Sequence, residues 1–568
     1  MKKNPFQINR LILLPLILSA AFYFSAVSVW GQEQGKGSFS NPIFPGFFPD
    51  PGIYAVGEDF YLVNSTFSFF PGVPVFHSKD LVHWRQLGHI LDRPEQMDVE
   101  GLGISEGIFA PTIQYHDGVF YMLTTLVGKG GNFVVTATDP EGPWSKPIWL
   151  PAVRGIDPSL FFDDDGNSYI IYNGDAPNNR PLYSGHRTIR IIGFDLETQK
   201  TVGEDRVLVN GGVNIDEKPV WIEGPHIFKT RGYYYLCAAE GGTSVNHSQV
   251  IFRTRDLNED FVPYEDNPIL TQRHLDPNRP NPISATGHAN LIETKNGEWW
   301  AVFLATRPYD TEDHYNIGRE TFLAPVKWTD DDWPIINPDY EEVQYQYPRP
   351  DLPAHTFEDH FPLSGNFTIS DDFDKEKLAD YWFFIRVPTS KWHRIEDKKL
   401  TFQVRPETVF GTSNPSFIGR RQQHNKGQAK LEMSFNARNP KEKAGLLLFQ
   451  NETHHLFLCV SQNEAGNAVV QVLKANGEKE YEIMAAQELD GAQDQVTLKV
   501  DFDMPAYRFA IKQNEDWLPL YDFKEGEYLS TRVAGGFVGV TMGPYASSSG
   551  NTSSNTASFY NFTYTGED

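Results

Sequence analysis

Cysteine is nearly absent from this chain of 568 residues: only Cys237 and Cys459 occur. Two thiols cannot build a disulfide framework or a cysteine-based zinc site. Both lie in apolar, strand-like runs (YYYLCAA and LFLCV), which reads as buried free thiols. Basic residues are the second deficit. Lys and Arg number 49 against 74 Asp and Glu, and 49 − 74 gives a net charge of −25. This negative charge argues against DNA or RNA as a partner, because phosphate neutralisation needs a basic face. It argues against anionic membrane surfaces as well. No HExxH, Walker-type loop or Rossmann glycine pattern is present, and beyond the N-terminus no apolar run is long enough to span a bilayer. Aromatic residues are what the chain has in quantity: 41 Phe, 25 Tyr and 12 Trp make up 14% of it. With 40% hydrophobic and 22% charged residues, it is no disordered acidic chain. A neutral ligand is the class left open. The length allows two to four domains at roughly 150 residues each.

Residues 1–10 carry Lys2, Lys3 and Arg10 and no acid, and residues 11–30 are apolar. Val29 and Gly31 put small residues at −3 and −1 of a cleavage point after residue 31. This predicts a secretory signal peptide over residues 1–31 and a periplasmic or secreted product. An uncleaved anchor is the competing reading.

The body of the chain repeats. Five segments share a small or acidic start, a few apolar residues, a turn and an aromatic strand. They are DPGIYAVGEDFYLV from Asp50, APTIQYHDGVFYML from Ala110, DPSLFFDDDGNSYII from Asp157, EGPHIFKTRGYYYL from Glu223 and GHANLIETKNGEWWAVF from Gly287. The turns, among them His116-Asp117-Gly118 and Asn296-Gly297, read as hairpin connections. Repeated all-β units of this size predict a five-bladed propeller over residues 38–340. One large β-sandwich with regular hairpins is the competing arrangement. Residues 341–365 are rich in Pro and acids and read as a linker. Short alternating runs follow (LTFQV, AKLEMSF, AGLLLFQ, HLFLCV, GFVGVTM), which predicts an antiparallel β-sandwich over residues 366–568.

In a propeller the first strand of each blade lines the central channel, so residues at one repeat phase converge in space. Asp50 and Asp157 share a phase; Glu223 falls one place before it and His288 one place after it. Three carboxylates and a histidine are therefore expected at one mouth. A lone Asp-Pro, as at Asp139-Pro140, makes ordinary turns. Like charges gathered without a reason are unfavourable, and that makes the cluster more informative than any single acid. Two opposed carboxylates and a third acid suit glycoside hydrolysis. One must stay protonated to donate to the leaving oxygen, one must be ionised to take a proton from water, and the third can raise the acid's pKa.

At these residues the chain resembles glycoside hydrolase family 43, in its β-xylosidase and α-L-arabinofuranosidase branch. The resemblance is carried by FPGFFPDPGIYAVGEDFYLVNSTFSFFPGVPVFHS, GIFAPTIQYHDGVFYMLTT, GIDPSLFFDDDGNSYIIYNG, WIEGPHIFKTRGYYYLCAAEGGT, GHANLIET and IGRETFLAPVKW. SDDFDKEKLADYWFFIRVP looks like the start of that branch's concanavalin-like C-terminal domain, so the match covers essentially the whole mature chain. The resemblance implies a five-bladed propeller and an inverting, single-displacement mechanism. Motif by motif, it makes Asp50 the general base, Asp157 the pKa modulator and Glu223 the general acid. His288 matches a channel histidine that can bind water or a calcium ion, and Arg319 matches an arginine that reaches the terminal sugar. Phe67 and Phe109 match apolar walls of the pocket. Position 109 departs from the frequent GIWAP pattern, since this chain reads GIFAP.

The expected activity is exo-acting release of terminal pentoses, β-D-xylose first, from plant hemicellulose oligosaccharides. α-L-Arabinofuranosidase activity, alone or combined with it, is the alternative enzyme reading. A sugar-binding propeller with a dead site is the non-enzyme one. No cofactor is required, although a structural calcium in the channel is compatible with the resemblance. Trp84 is expected to pack between strands, His454 and His455 to face solvent, and Asp163–Gly166 to form a hairpin turn rather than a calcium loop.

Overall fold

The computed structural model describes residues 37–568 apart from 359, 478, 490–494 and 514. The signal-peptide expectation, and with it export, lies outside the described residues. Among the described residues no helix is long and apolar enough to cross a membrane.

Five antiparallel sheets of hairpin-connected strands form the blades of a propeller. Their innermost strands are Gly52–Val56, Gly107–His116, Gly155–Phe162, Glu223–Thr230 and Ser284–Glu293. These strands neighbour one another in cyclic order, the fifth returning to the first. Each expected hairpin turn joins the first strand of a blade to the second, as where Asp117-Gly118 connects Gly107–His116 to Val119–Val127. At Asp163–Gly166 the Gly166 amide donates to Asp163 O at 3.1 Å, closing the turn. Side chains one layer below the rim stitch blade to blade. Thr112 Oγ1 donates to Pro158 O (2.8 Å), Ser159 Oγ to Pro225 O (2.6 Å), and Ile53 N to Asn290 Oδ1 (2.9 Å). Among the described residues no strand is shared across the closure. Instead Ser38–Ser40 pairs with Gln346–Pro348, and Asn41 exchanges hydrogen bonds with Leu323. The aromatic content fills the layers between blades. Trp84, 3% exposed, sits edge-on to Phe44 and donates its indole N–H to Leu81 O.

The chain then builds two stacked antiparallel sheets from Phe367 to Glu567. Alternate residues such as Leu431, Leu446, Leu458, Leu498, Val500 and Phe562 face inward and are fully buried, as the period of two requires. Propeller and sandwich are knit into one compact unit over Ser38–Asp568. The first blade's excursion Phe69–Phe70 becomes an edge strand of a sandwich sheet, pairing with Phe384 and Ile385. Arg386, wholly buried, donates Nε to Leu102 O (2.7 Å) and ion-pairs with Glu452. This seam brings the sandwich beside the rim where the blades' first strands begin.

Two expectations are corrected here. His455 does not face solvent: it is fully buried, packed against Phe410 and Tyr481, and burial pushes its pKa down to about 3. GFVGVTM is not one strand. The strand begins at Thr541, because Gly535 and Gly536 take φ of 74° and 81° and turn the preceding segment out as a loop. Cys237 and Cys459 are buried free thiols, as expected.

Candidate active site

The rim of the propeller has a backbone signature. Asp50, Ala110, Asp157, Gly224 and His288 occupy one position in the five blades, and all five take positive φ (53°, 35°, 56°, 57° and 52°). His288 therefore shares the phase of Asp50 and Asp157 instead of following it by one place. Aligning the fifth repeat on Gly287 displaced it by one residue. The left-handed conformation costs roughly 1–2 kcal/mol per non-glycine residue, and the following residues shift register against the second strand in four of the blades. The bulge turns each side chain out of the sheet's alternation and toward the axis. Glu223 precedes the bulge in blade four, where Gly224 is obligatory: a Cβ there would lie 2.9 Å from the His288 ring.

Asp50, Asp157 and Glu223 line one cavity of about 310 Å³ together with His288, Arg319, Phe67 and Phe109. Every expected site residue is brought together. The three acids are 6%, 4% and 6% exposed, yet their environments differ. Arg319 Nη1 donates to Asp50 Oδ1 at 2.7 Å, Ser65 Oγ donates to Oδ2 at 2.6 Å, and His288 Nδ1 lies 3.9 Å away. Burial raises the Asp50 pKa, but Arg319, His288 and Ser65 outweigh it and hold this carboxyl below its ordinary value. Asp157 accepts from Gly224 N at 3.0 Å, and its pKa is pushed up to about 6 by burial, with His288 opposing and Asp50 adding. At Glu223 burial, then the charges of Asp157 and Asp50, outweigh the opposing Arg319 charge and push the carboxyl well above the carboxylate range. One acid is thus kept ionised and another kept protonated within a single cavity.

The aromatic wall is larger than the sequence suggested. Phe67 and Phe109 meet edge to face with centroids 4.9 Å apart, and Phe537 stacks on Phe67 at 5.9 Å with an interplanar angle of 12°. Phe537 comes from the sandwich, on the loop that follows Gly536, and Phe537 N donates to Ser105 Oγ. The Arg319 guanidinium lies against the Phe537 ring at 5.6 Å, and its buried Nε has no hydrogen-bond partner. Trp221, Val220 and Thr243 complete the cavity. Trp221 stands two residues before Glu223 in WIEGPH, and that proximity was its only sequence signal. Phe537 had none, because the partner it packs on is 470 positions earlier (537 − 67).

Calcium takes about six to eight oxygen ligands. His288 offers an imidazole nitrogen, the neighbouring Asp50 is engaged by Arg319, and among the described residues no group of three or more His, Cys, Asp or Glu is arranged to hold a metal ion. The donor set does not fit a directly coordinated calcium, and the chemistry below is derived from side chains alone.

Residues 39–334 match the model of glycosyl hydrolases family 43, and residues 370–565 match the β-xylosidase C-terminal concanavalin A-like domain. A xylosidase/arabinosidase from Butyrivibrio fibrisolvens is 39% identical over 92% of this chain and 98% of its own length. The non-reducing end α-L-arabinofuranosidase BoGH43B from Bacteroides ovatus is 37% identical over 92% and 94%. Among solved structures, a xylan β-1,4-xylosidase from Bacillus halodurans C-125 superposes with a TM-score of 0.84 at 31% identity, covering 93% of this chain and all of that one.

Proposed function

The chain belongs to glycosyl hydrolase family 43, and from that premise we propose that it is an exo-acting, inverting hydrolase releasing terminal pentoses from hemicellulose oligosaccharides. The observation that carries the reading is the opposite displacement of two buried carboxyls in one cavity, Asp50 below its ordinary pKa and Glu223 well above it. Asp50, ionised, takes a proton from a water molecule that attacks the anomeric carbon. Glu223, protonated, donates to the glycosidic oxygen as the bond to that carbon breaks. Asp157 keeps Glu223 protonated through its charge. Each turnover leaves a proton on Asp50 and removes one from Glu223, and exchange with solvent resets both.

The pocket supports a sugar end as its occupant, because three packed rings wall one side of a cavity of about 310 Å³. The unpartnered Nε of Arg319 is a buried donor that a substrate hydroxyl would satisfy. β-D-Xylose is the first candidate and α-L-arabinofuranose the second, with both activities in one pocket compatible with relatives named for both. Export is part of the proposal and rests on the basic start and apolar run of residues 1–31.

The test is hydrolysis of aryl β-D-xylopyranoside and aryl α-L-arabinofuranoside side by side, with Glu223→Ala as control. Preference for the xyloside supports chain-end release and preference for the arabinoside supports side-chain removal. Activity on neither by folded protein refutes the pocket reading.

A further inference from the structure

Glu223 is held from behind by groups that do not reach the substrate. Its strand follows Trp221 and Ile222, and the side-chain amide of Asn173 donates to Ile222 O, the carbonyl immediately before the acid. Asn173 is wholly buried on the second strand of blade three. Its oxygen faces the other way and accepts two hydrogen bonds from Arg187, from Nε at 3.0 Å and Nη2 at 2.7 Å. Arg187 Nη1 is tied to Asp175, the residue it pairs with across the sheet. So pinned, the guanidinium lies over the Trp221 ring at 4.8 Å.

Trp221 needs that support. It is 36% exposed, its backbone takes φ of 59°, and its backbone N–H donates to Gly185 O at 2.8 Å. Its ring walls the cavity on the flank of Glu223, where its side chain opposes the rise in that carboxyl's pKa. A cation over the face of an indole draws electron density from the ring and makes the N–H a better donor on the far side. One buried amide therefore governs the backbone of the acid, while the arginine it anchors governs the ring beside the acid's carboxyl.

We propose that Asn173 and Arg187 are positioning residues for the general acid, setting the aim of Glu223 through Ile222 and Trp221. The proposal rests on the reading of Glu223 as the acid. It predicts a defect in proton donation, which matters most when the leaving group is poor.

The experiment uses aryl pentosides with dinitrophenol, nitrophenol and phenol leaving groups, whichever pentose the wild-type enzyme takes. The variants are Arg187→Ala, Arg187→Lys, Asn173→Ala and Glu223→Ala, with pH profiles of kcat/KM for each. General acid assistance contributes about 10²–10⁴-fold, so Glu223→Ala should raise the dinitrophenyl-to-phenyl ratio of kcat/KM by at least about a hundredfold. Arg187→Ala should raise the same ratio at least about tenfold, a part of the acid's whole contribution, and, by weakening the Trp221 interaction that lowers the Glu223 pKa, move the alkaline limb to higher pH. Arg187→Lys keeps the charge but not the fork that grips Asn173, and should fall between Arg187→Ala and wild type. A uniform loss across the leaving groups with an unmoved alkaline limb, or no loss, overturns the positioning role. Asn173→Ala may be judged by the same ratio if it folds; Arg187→Ala decides if it does not. If Glu223→Ala itself shows no leaving-group dependence, the acid assignment fails. If it does and Arg187→Ala does not, only the positioning proposal fails.

Discussion

Replacing Arg319 by methionine should move the acidic limb of the activity profile upward. Arg319 Nη1 sits 2.7 Å from Asp50 Oδ1, and both side chains are almost wholly buried. With an effective dielectric of about 20, two unit charges at this separation attract by about 6 kcal/mol. Water entering the methionine site would recover part of this, and the Ser65 hydroxyl and His288 remain beside the carboxylate. An aspartate beside an arginine is ordinarily lowered by about 1–3 units, equivalent to about 1.4–4 kcal/mol. The sign follows directly. Arg319 favours the ionised form of Asp50, so its loss raises the Asp50 pKa and the base is protonated over a wider acid range. The assay is kcat/KM against pH on the aryl pentoside that the wild-type enzyme prefers. Loss of a sugar contact alone would lower the plateau and leave the limb in place. Arg319→Lys, which retains a charge without the guanidinium fork, should lower the plateau while keeping the limb closer to wild type. An acidic limb that stays fixed in Arg319→Met would refute the electrostatic assignment of the base.

Three further outcomes are expected. In Asp157→Asn, removal of a charge that raises Glu223 should shift the alkaline limb to lower pH, and an unmoved limb would contradict its role as modulator. Phe537→Ala should lower kcat/KM about tenfold, since an aromatic pair contributes about 0.5–1.5 kcal/mol beyond its buried area; unchanged kinetics would mean the sandwich does not shape the pocket. Arg386→Ala leaves Glu452 without its cation at the seam between propeller and sandwich, while the Ile104 amide still donates to it; breaking a buried pair costs about 3–5 kcal/mol, so denaturant unfolding should show a clear loss of stability.

The repeat and the hairpin turns were legible because each blade writes the same local chemistry: a small or acidic start, an alternating strand and a turn residue. The acids were legible through their shared phase. The position of His288 slipped by one because sequence similarity aligned Gly287 with Asp50, whereas the backbone aligns residues by the left-handed conformation that His288, Asp50 and Asp157 share. The role of the sandwich at the pocket could not be read. Phe537 resembles any aromatic in a strand-like run, and its placement depends on two glycines that turn the segment out and on a seam formed by Phe69–Phe70. His455 misled because it ends the polar run Asn451-Glu452-Thr453-His454, whereas its side chain turns inward among Phe410, Phe449 and Tyr481. The chain from Asn173 through Arg187 to Trp221 crosses two blades, and no local pattern encodes it.

The most direct test of the account is the anomeric form of the first sugar released. Proton NMR of the wild-type enzyme acting on xylobiose, followed from the first turnovers, should show α-xylose appearing before mutarotation; with an α-L-arabinofuranoside it should show the β-anomer. Inversion is what Asp50 acting on water and Glu223 acting on the leaving oxygen require. Initial release of the β-anomer of xylose would mean a covalent intermediate and would contradict the assignment of Asp50 as a base.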